Sequence, residues 1–337
     1  MAAVRHQRVE LKTGVSMHYV EASAARLDAP TVLLVHGFPD TWYGWRHQIV
    51  ALQAAGYRVL APDMRGYGET TPVRRDASFY RMELIVGDLV ALLDQLLLEQ
   101  VVLVAHDWGA TCAWNLAAHF PSRVLAMASL CVPFFPWKNE NPWPKMKANA
   151  GRFDYQLYFQ TDAAEAELNA DPLRSVTCFM RGMGDRDVAA CGEFLQSPWQ
   201  PTKDGGALVK YPPNITRSEV LLERDAAYYA WQFSHSGYFG ALSWYRNVEA
   251  NWRWNARTAG ARITDFPCLV ITAELDATLP PSMAAQMTGW IEDLTVVNVE
   301  GAGHWVAMEK PHEVNAHLIG WLANKLPSSL ALAKPKL

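Results

Sequence analysis

The sequence has few of the features that mark metal centres, nucleotide sites or highly charged partners. Its five cysteines, Cys112, Cys131, Cys178, Cys191 and Cys268, are odd in number and never form a CxxC pair. That argues against a disulfide framework or a zinc ribbon and fits a reducing compartment, with the thiols as small buried hydrophobes. No zinc-ligand spacing and no glycine-rich phosphate loop occurs. Charged residues make up 19% of the chain and the net charge is -4, so there is no basic face for nucleic acid and no polybasic patch for a membrane. No apolar run is long enough to span a bilayer, and residues 1–14 lack the apolar core of a secretory signal. A cytoplasmic location is expected. The C-terminal Pro335-Lys336-Leu337 is near, but not equal to, the peroxisomal S-K-L signal, which leaves a peroxisomal address as the lesser option.

Apolar bulk is what the chain does have. Half of its 337 residues are hydrophobic and 14 are Trp. That suffices for one large domain, or one domain with an insertion, and for wide apolar surfaces in a pocket or lid. Strands are expected at 14–20, Thr31–Val35, 57–61, 101–105 and Val124–Leu130, with helices at 45–55, 82–98 and 109–119. The runs at 31–35 and 101–105 are apolar throughout, as strands covered on both faces should be. The alternation stops near Pro133. Aromatic-rich helices and loops follow, and Trp199, Trp231, Trp244 and Trp252 suggest an apolar pocket lining. The pattern returns with a strand at 267–272, a helix, the strand Leu294–Val299 and a last helix at 311–326. This predicts a doubly wound, mostly parallel α/β sheet. Its core comprises 1–133 and 256–330, with an inserted helical lid at 134–255 and a tail at 331–337.

One turn carries the chemistry. The strand at 101–105 runs straight into His106-Asp107-Trp108-Gly109-Ala110 and a helix. Strand, sharp turn and helix form the context of a nucleophile elbow, which lifts one side chain above the sheet. The usual serine is replaced by Asp107. An Asp before a helix can also be a plain N-cap, so the reading rests on its companions. An acid and a histidine follow in chain order, each just past a strand end, where open α/β sheets hold ligands. The histidine is His304 in Gly303-His304-Trp305. The acid is Asp276, with Glu274 as competitor. Asp276 lies farther into its loop, and its shorter side chain fixes an imidazole more tightly. His36 and His106 flank the elbow but precede either acid, which gives them supporting roles. In His36-Gly37-Phe38-Pro39, Gly37 permits a tight turn and a Phe-Pro bond can be cis at low cost. This loop can set the Phe38 N–H beside the Trp108 N–H as an oxyanion hole; a plain strand-to-helix turn is the alternative.

The motifs HGFPDTWYGW, DMRGYGET, AHDWGA, the Asp276 loop and GHW resemble the epoxide hydrolases of the α/β-hydrolase superfamily over nearly the whole chain. The resemblance is strongest to the C-terminal hydrolase domain of soluble epoxide hydrolase. The insertion resembles that family's cap at residues 153–160, at Ser236-Gly237-Tyr238-Phe239-Gly240 and at Trp244-Tyr245-Arg246-Asn247. It implies an α/β-hydrolase fold with Asp107 as nucleophile, Asp276 as acid and His304 as base. It also implies that Tyr155 and Tyr245 are two epoxide-gripping tyrosines. The partner is then a small hydrophobic epoxide, with no metal or organic cofactor, and the pocket is expected to include His36, Pro39, His106, Gln156 and Trp305. The mammalian soluble enzyme's N-terminal phosphatase domain is not expected here, because the chain starts directly at the hydrolase. Haloalkane and haloacid dehalogenases use the same Asp nucleophile and are the near alternative. A non-catalytic small-ligand sensor on a hydrolase scaffold is the second.

Overall fold

The computed structural model describes residues 4–26, 28–185 and 200–326. Cys191, Trp199, the tail at 331–337 and its Pro335-Lys336-Leu337 lie outside the described residues. Among the described residues, eight strands form one sheet: β1 (Arg5–Glu10), β2 (Ser16–Ala22), β3 (Thr31–Val35), β4 (Arg58–Pro62), β5 (Val101–His106), β6 (Val124–Leu130), β7 (Cys268–Ala273) and β8 (Leu294–Val299). Their order is β1-β2-β4-β3-β5-β6-β7-β8. The β1–β2 and β2–β4 pairs are antiparallel, and every other pair is parallel.

The apolar runs of β3 and β5 are buried along their whole length, as strands covered by helices on both faces must be. Helices Arg46–Ala54, Met82–Gln95, Trp108–His119 and Pro311–Lys325 provide the cover. β1 was not foreseen. Its sequence, RHQRVE, holds a single apolar residue, because it is a solvated edge strand paired only with β2. The helix expected after β7 is instead a 3₁₀ segment over Pro281–Met287. It is squeezed between Pro280 and Gly289, whose φ is 83°.

The chain order reverses between the adjacent strands β3 and β5, where open α/β sheets leave a crevice. The His36 loop leaves β3 there and the Asp107 turn leaves β5, so the two face each other. The helical insertion lies between β6 and β7 and includes helices Asp154–Tyr158, Asp162–Ala170, Pro172–Phe179, Glu223–Ser236 and Val248–Asn255. Polar contacts seat it on the core. The Trp42 indole donates to Tyr228 Oη at 2.9 Å, Tyr43 Oη donates to Asp225 at 2.8 Å and Tyr229 Oη donates to Asp40 at 2.6 Å. The Trp244 indole donates to the Arg65 carbonyl at 3.0 Å. Arg65 is itself gripped by the buried Asp88 carboxylate at 2.6 and 2.7 Å. No described helix is long and apolar enough to cross a membrane.

Candidate active site

Asp107 sits at φ 51° and ψ -130°, a region that costs a non-glycine residue about 1–3 kcal/mol. Two glycines make this turn possible. A Cβ on Gly109 would lie 2.2 Å from the Val35 carbonyl oxygen. A Cβ on Gly37 would lie 2.4 Å from Asp107 Oδ1 and 2.6 Å from the Trp108 nitrogen. With neither Cβ present, the loop after β3 touches the elbow. The Phe38 N–H donates to Asp107 Oδ1 at 2.7 Å, and the Phe38-Pro39 bond is cis. His36 Nε2 accepts from the Met64 N–H at 3.0 Å, so its Nδ1 carries the proton and donates to the Gly37 carbonyl, also at 3.0 Å. His36 thus braces the loop from below and is fully buried.

His304 Nε2 lies 3.6 Å from Asp107 Oδ2, and its Nδ1 is bonded to Asp276 Oδ2 at 2.8 Å. Asp276 Oδ1 accepts from the Thr278 and Leu279 N–H groups at 3.0 and 2.9 Å. Glu274 is occupied elsewhere, accepting from the Gly301 N–H at 2.8 Å. Burial opposes a charged His304, but Asp276 first, and then Asp107, outweigh it and push the imidazole up to about 10. Burial also opposes ionisation of both carboxyls. His304, His106 and the Phe38 N–H nevertheless hold Asp107 below the usual range. His304 and the Leu279 and Thr278 N–H groups do the same for Asp276.

His106 donates from Nε2 to the His304 carbonyl at 2.8 Å, and burial, helped by His304, lowers it to about 4. It is a neutral brace for the His304 backbone. The Trp305 indole donates to the Phe179 carbonyl at 2.7 Å, which ties the His304 loop to the insertion.

Tyr155 and Tyr245 hang over this floor with ring centroids 6.1 Å apart. Tyr245 also packs edge-on against Trp108 at 5.0 Å and Phe38 at 5.4 Å. Burial, then the charge of Asp107, raises both phenols well above the ordinary tyrosine value. Gln156 Nε2 donates to Tyr155 Oη at 3.3 Å. A cavity of about 440 Å³ adjoins the elbow, bordered by Trp108, Thr111, Phe135, Gln156 and Trp252. Gln156 therefore borders open space, whereas His36, Pro39, His106 and Trp305 are buried around the site. The tryptophan expectation needs correction. Trp252 borders the cavity, Trp244 is buried at the seam with the core, and Trp231 is 48% exposed.

Two neighbours escaped the sequence reading. Tyr67 lies buried with its hydroxyl unpartnered among the described residues, and burial, then the charges of Asp107 and Asp40, raise its pKa. Its motif, DMRGYGET, was visible, but nothing local aims Tyr67 at the elbow. Cys131, at φ 66°, points its thiol at the His304 carbonyl, 3.5 Å away.

The model of the alpha/beta hydrolase fold family matches residues 30–311. Bifunctional epoxide hydrolase 2 of Sus scrofa is 40% identical over 99% of this chain, and the chain spans 58% of that protein's length. Epoxide hydrolase A of Mycobacterium tuberculosis is 37% identical over 94% of this chain and 97% of its own. A crystal structure of an epoxide hydrolase from Vigna radiata superposes with a TM-score of 0.84 at 33% identity, covering 96% of this chain and 99% of that one. A match along nearly the full length of the mycobacterial enzyme, on the same fold, means that the chain belongs to the epoxide hydrolases of the α/β-hydrolase fold family.

Proposed function

We propose that the protein converts an epoxide bearing an apolar substituent, and water, into a vicinal diol through an ester on Asp107. The observation that carries this reading is the position of one ionised carboxylate. Asp107 lies between the His304–Asp276 pair and the Phe38 N–H, and its charge reaches the half-buried Tyr155 and the buried Tyr245. A carboxylate held ionised needs no base to attack a strained carbon. The ring oxygen leaves as a basic alkoxide, and Tyr155 and Tyr245 hydrogen-bond it and supply its proton. A halide leaves as a stable anion and needs no such acid, so the tyrosine pair favours the epoxide reading over dehalogenation.

The charges follow from the site's own electrostatics. Before the reaction Asp107 is anionic and His304 is imidazolium, which cannot act as a base. Alkylation turns Asp107 into a neutral ester and removes one of the two charges that hold the proton on His304. That proton replaces the one the tyrosines gave up. Neutral His304 then deprotonates a water, which attacks the ester carbonyl of Asp107 while Asp276 steadies the imidazolium. The oxyanion of this step forms on Asp107 itself, at the Oδ1 that the Phe38 N–H already contacts; the Trp108 N–H is the second donor. Its collapse breaks the ester C–O bond, the departing diol oxygen takes the proton of the newly added hydroxyl, and Asp107 is again a carboxylate beside the imidazolium. The cavity bordered by Trp108 and Trp252 receives the apolar substituent.

The test is a single turnover in isotope-labelled water, with enzyme in excess over a styrene-type or fatty-acid epoxide. An ester route gives a first diol whose new oxygen comes from Asp107 and is unlabelled. A labelled first diol would mean direct attack by water and would overturn the mechanism.

A further inference from the structure

Away from the active site, at the edge of the sheet, two histidines and a glutamate converge. His6 lies on the exposed strand β1, His18 on β2, and Glu69 in the turn after β4. His6 Nδ1 and His18 Nε2 are 2.9 Å apart, and one ligand atom from each of the three residues lies within 4.8 Å of the others. His18 is buried, and the buried Asp63 carboxylate holds its Nδ1 at 2.8 Å. This fixes the tautomer: Nδ1 carries the proton and Nε2 directs a lone pair at His6. A carboxylate behind an imidazole is the arrangement that orients histidine ligands in metal sites. The same Asp63 accepts from the Glu69 N–H at 3.0 Å and the Trp42 N–H at 3.1 Å, so it sets both the buried ligand and the turn that carries the third. Arg8 donates to the Glu69 carbonyl at 2.8 Å and pairs with its carboxylate at 3.6 Å.

The geometry points to a binding site for a divalent transition-metal ion, best suited to zinc, formed by His6 Nδ1, His18 Nε2 and the Glu69 carboxylate with water completing the shell. Two imidazoles and one carboxylate make a zinc donor set of known type. Bonds of about 2.0–2.1 Å at tetrahedral angles put two nitrogens about 3.3 Å apart. Reaching that spacing asks for a few tenths of an ångström, which the exposed His6 can supply. The ion would join β1, β2 and the Glu69 turn, and so pin the edge strand to the segment that braces the Trp42 backbone. The plain alternative is a His6 N–H donating to His18.

The test uses tag-free, metal-stripped protein titrated with Co²⁺ and with Zn²⁺, read by calorimetry, by the visible spectrum of bound Co²⁺ and by thermal melting. A second cluster, His106, Cys131 and His304, belongs to the active site, and Cys131→Ser weakens it as a ligand set. The expected result is one equivalent of metal retained in Cys131→Ser and lost in His6→Ala. Glu69→Gln should weaken that equivalent roughly tenfold or more. Zn²⁺ should raise the melting temperature of the wild type and not of His6→Ala. Should His6→Ala fail to fold, Glu69→Gln carries the comparison. Absence of metal uptake by the wild type, or uptake unchanged in the folded variants, would overturn the site and leave a hydrogen bond between two imidazoles.

Discussion

Asp107, Asp276 and His304 stand just past the ends of parallel strands, and backbone N–H groups or tight ion pairs hold them at 2.7–3.0 Å on at least one side. Tyr155 and Tyr245 hang instead from short helical pieces of the insertion, held mainly by rings stacked edge to face at 5–6 Å. The floor is an electrostatic device, in which preorganised dipoles and a charge pair decide where protons reside. The roof is an apolar clamp with two hydroxyls. Changes to the floor should therefore abolish a step outright, whereas changes to the roof should grade it, because one hydroxyl can partly stand in for the other.

The sharpest break of this contrast is Asp107→Ala. It removes the proposed nucleophile, so turnover should fall by about 10⁴-fold or more, with no covalent adduct by mass spectrometry. Diol formation near the wild-type rate would show that the floor does not supply the nucleophile. His304→Gln comes next. Asp107 is still present, so the ring should open, but water is no longer activated and the ester should accumulate. Hydrolysis should slow by about 10²–10⁴-fold. Ring opening without a trapped adduct would count against two steps. On the roof, Phe at both Tyr155 and Tyr245 should slow alkylation by about 10²–10⁴-fold, and either single change should cost distinctly less. Equal losses in the two single variants and the double variant would mean that the hydroxyls act as one unit, and unchanged alkylation would remove them from the chemistry.

The same contrast governs what the sequence disclosed. The elbow is local: an apolar strand, a polar turn and a helix within a dozen residues make Asp107 a candidate, and its companions separate it from a plain helix cap. Asp276 and His304 lie far along the chain, but each follows a strand of the same sheet, and the α/β rule about strand ends makes their convergence legible. Tyr155 and Tyr245 have no such rule, because aromatic helices carry no address relative to the floor. They came from family resemblance. Tyr67 and Cys131 were silent for the same reason, since only the packed turn and a positive φ bring them to the site. The His6, His18 and Glu69 cluster was hidden by its spacing. Its members meet only because β1 pairs with β2 in one register, placing Arg8 opposite His18, and because the turn after β4 folds back onto that pair.

The smallest expected effect tests whether the floor is charged at rest. The pKa of His304 is raised from about 6.5 to about 10 by Asp276 and Asp107. A group whose folded pKa is raised adds stability that is complete below its unfolded value and is lost as pH climbs through the folded one. The wild type should therefore lead His304→Gln most clearly near pH 6, and the lead should shrink across the window up to about pH 10. Thermal melts of both proteins over that range measure the difference directly. A lead that stays constant from pH 6 to above pH 10 would mean that His304 is already neutral in the resting protein. The proton handed back to the tyrosines after ring opening would then need another source, while the Asp107 ester itself would stand.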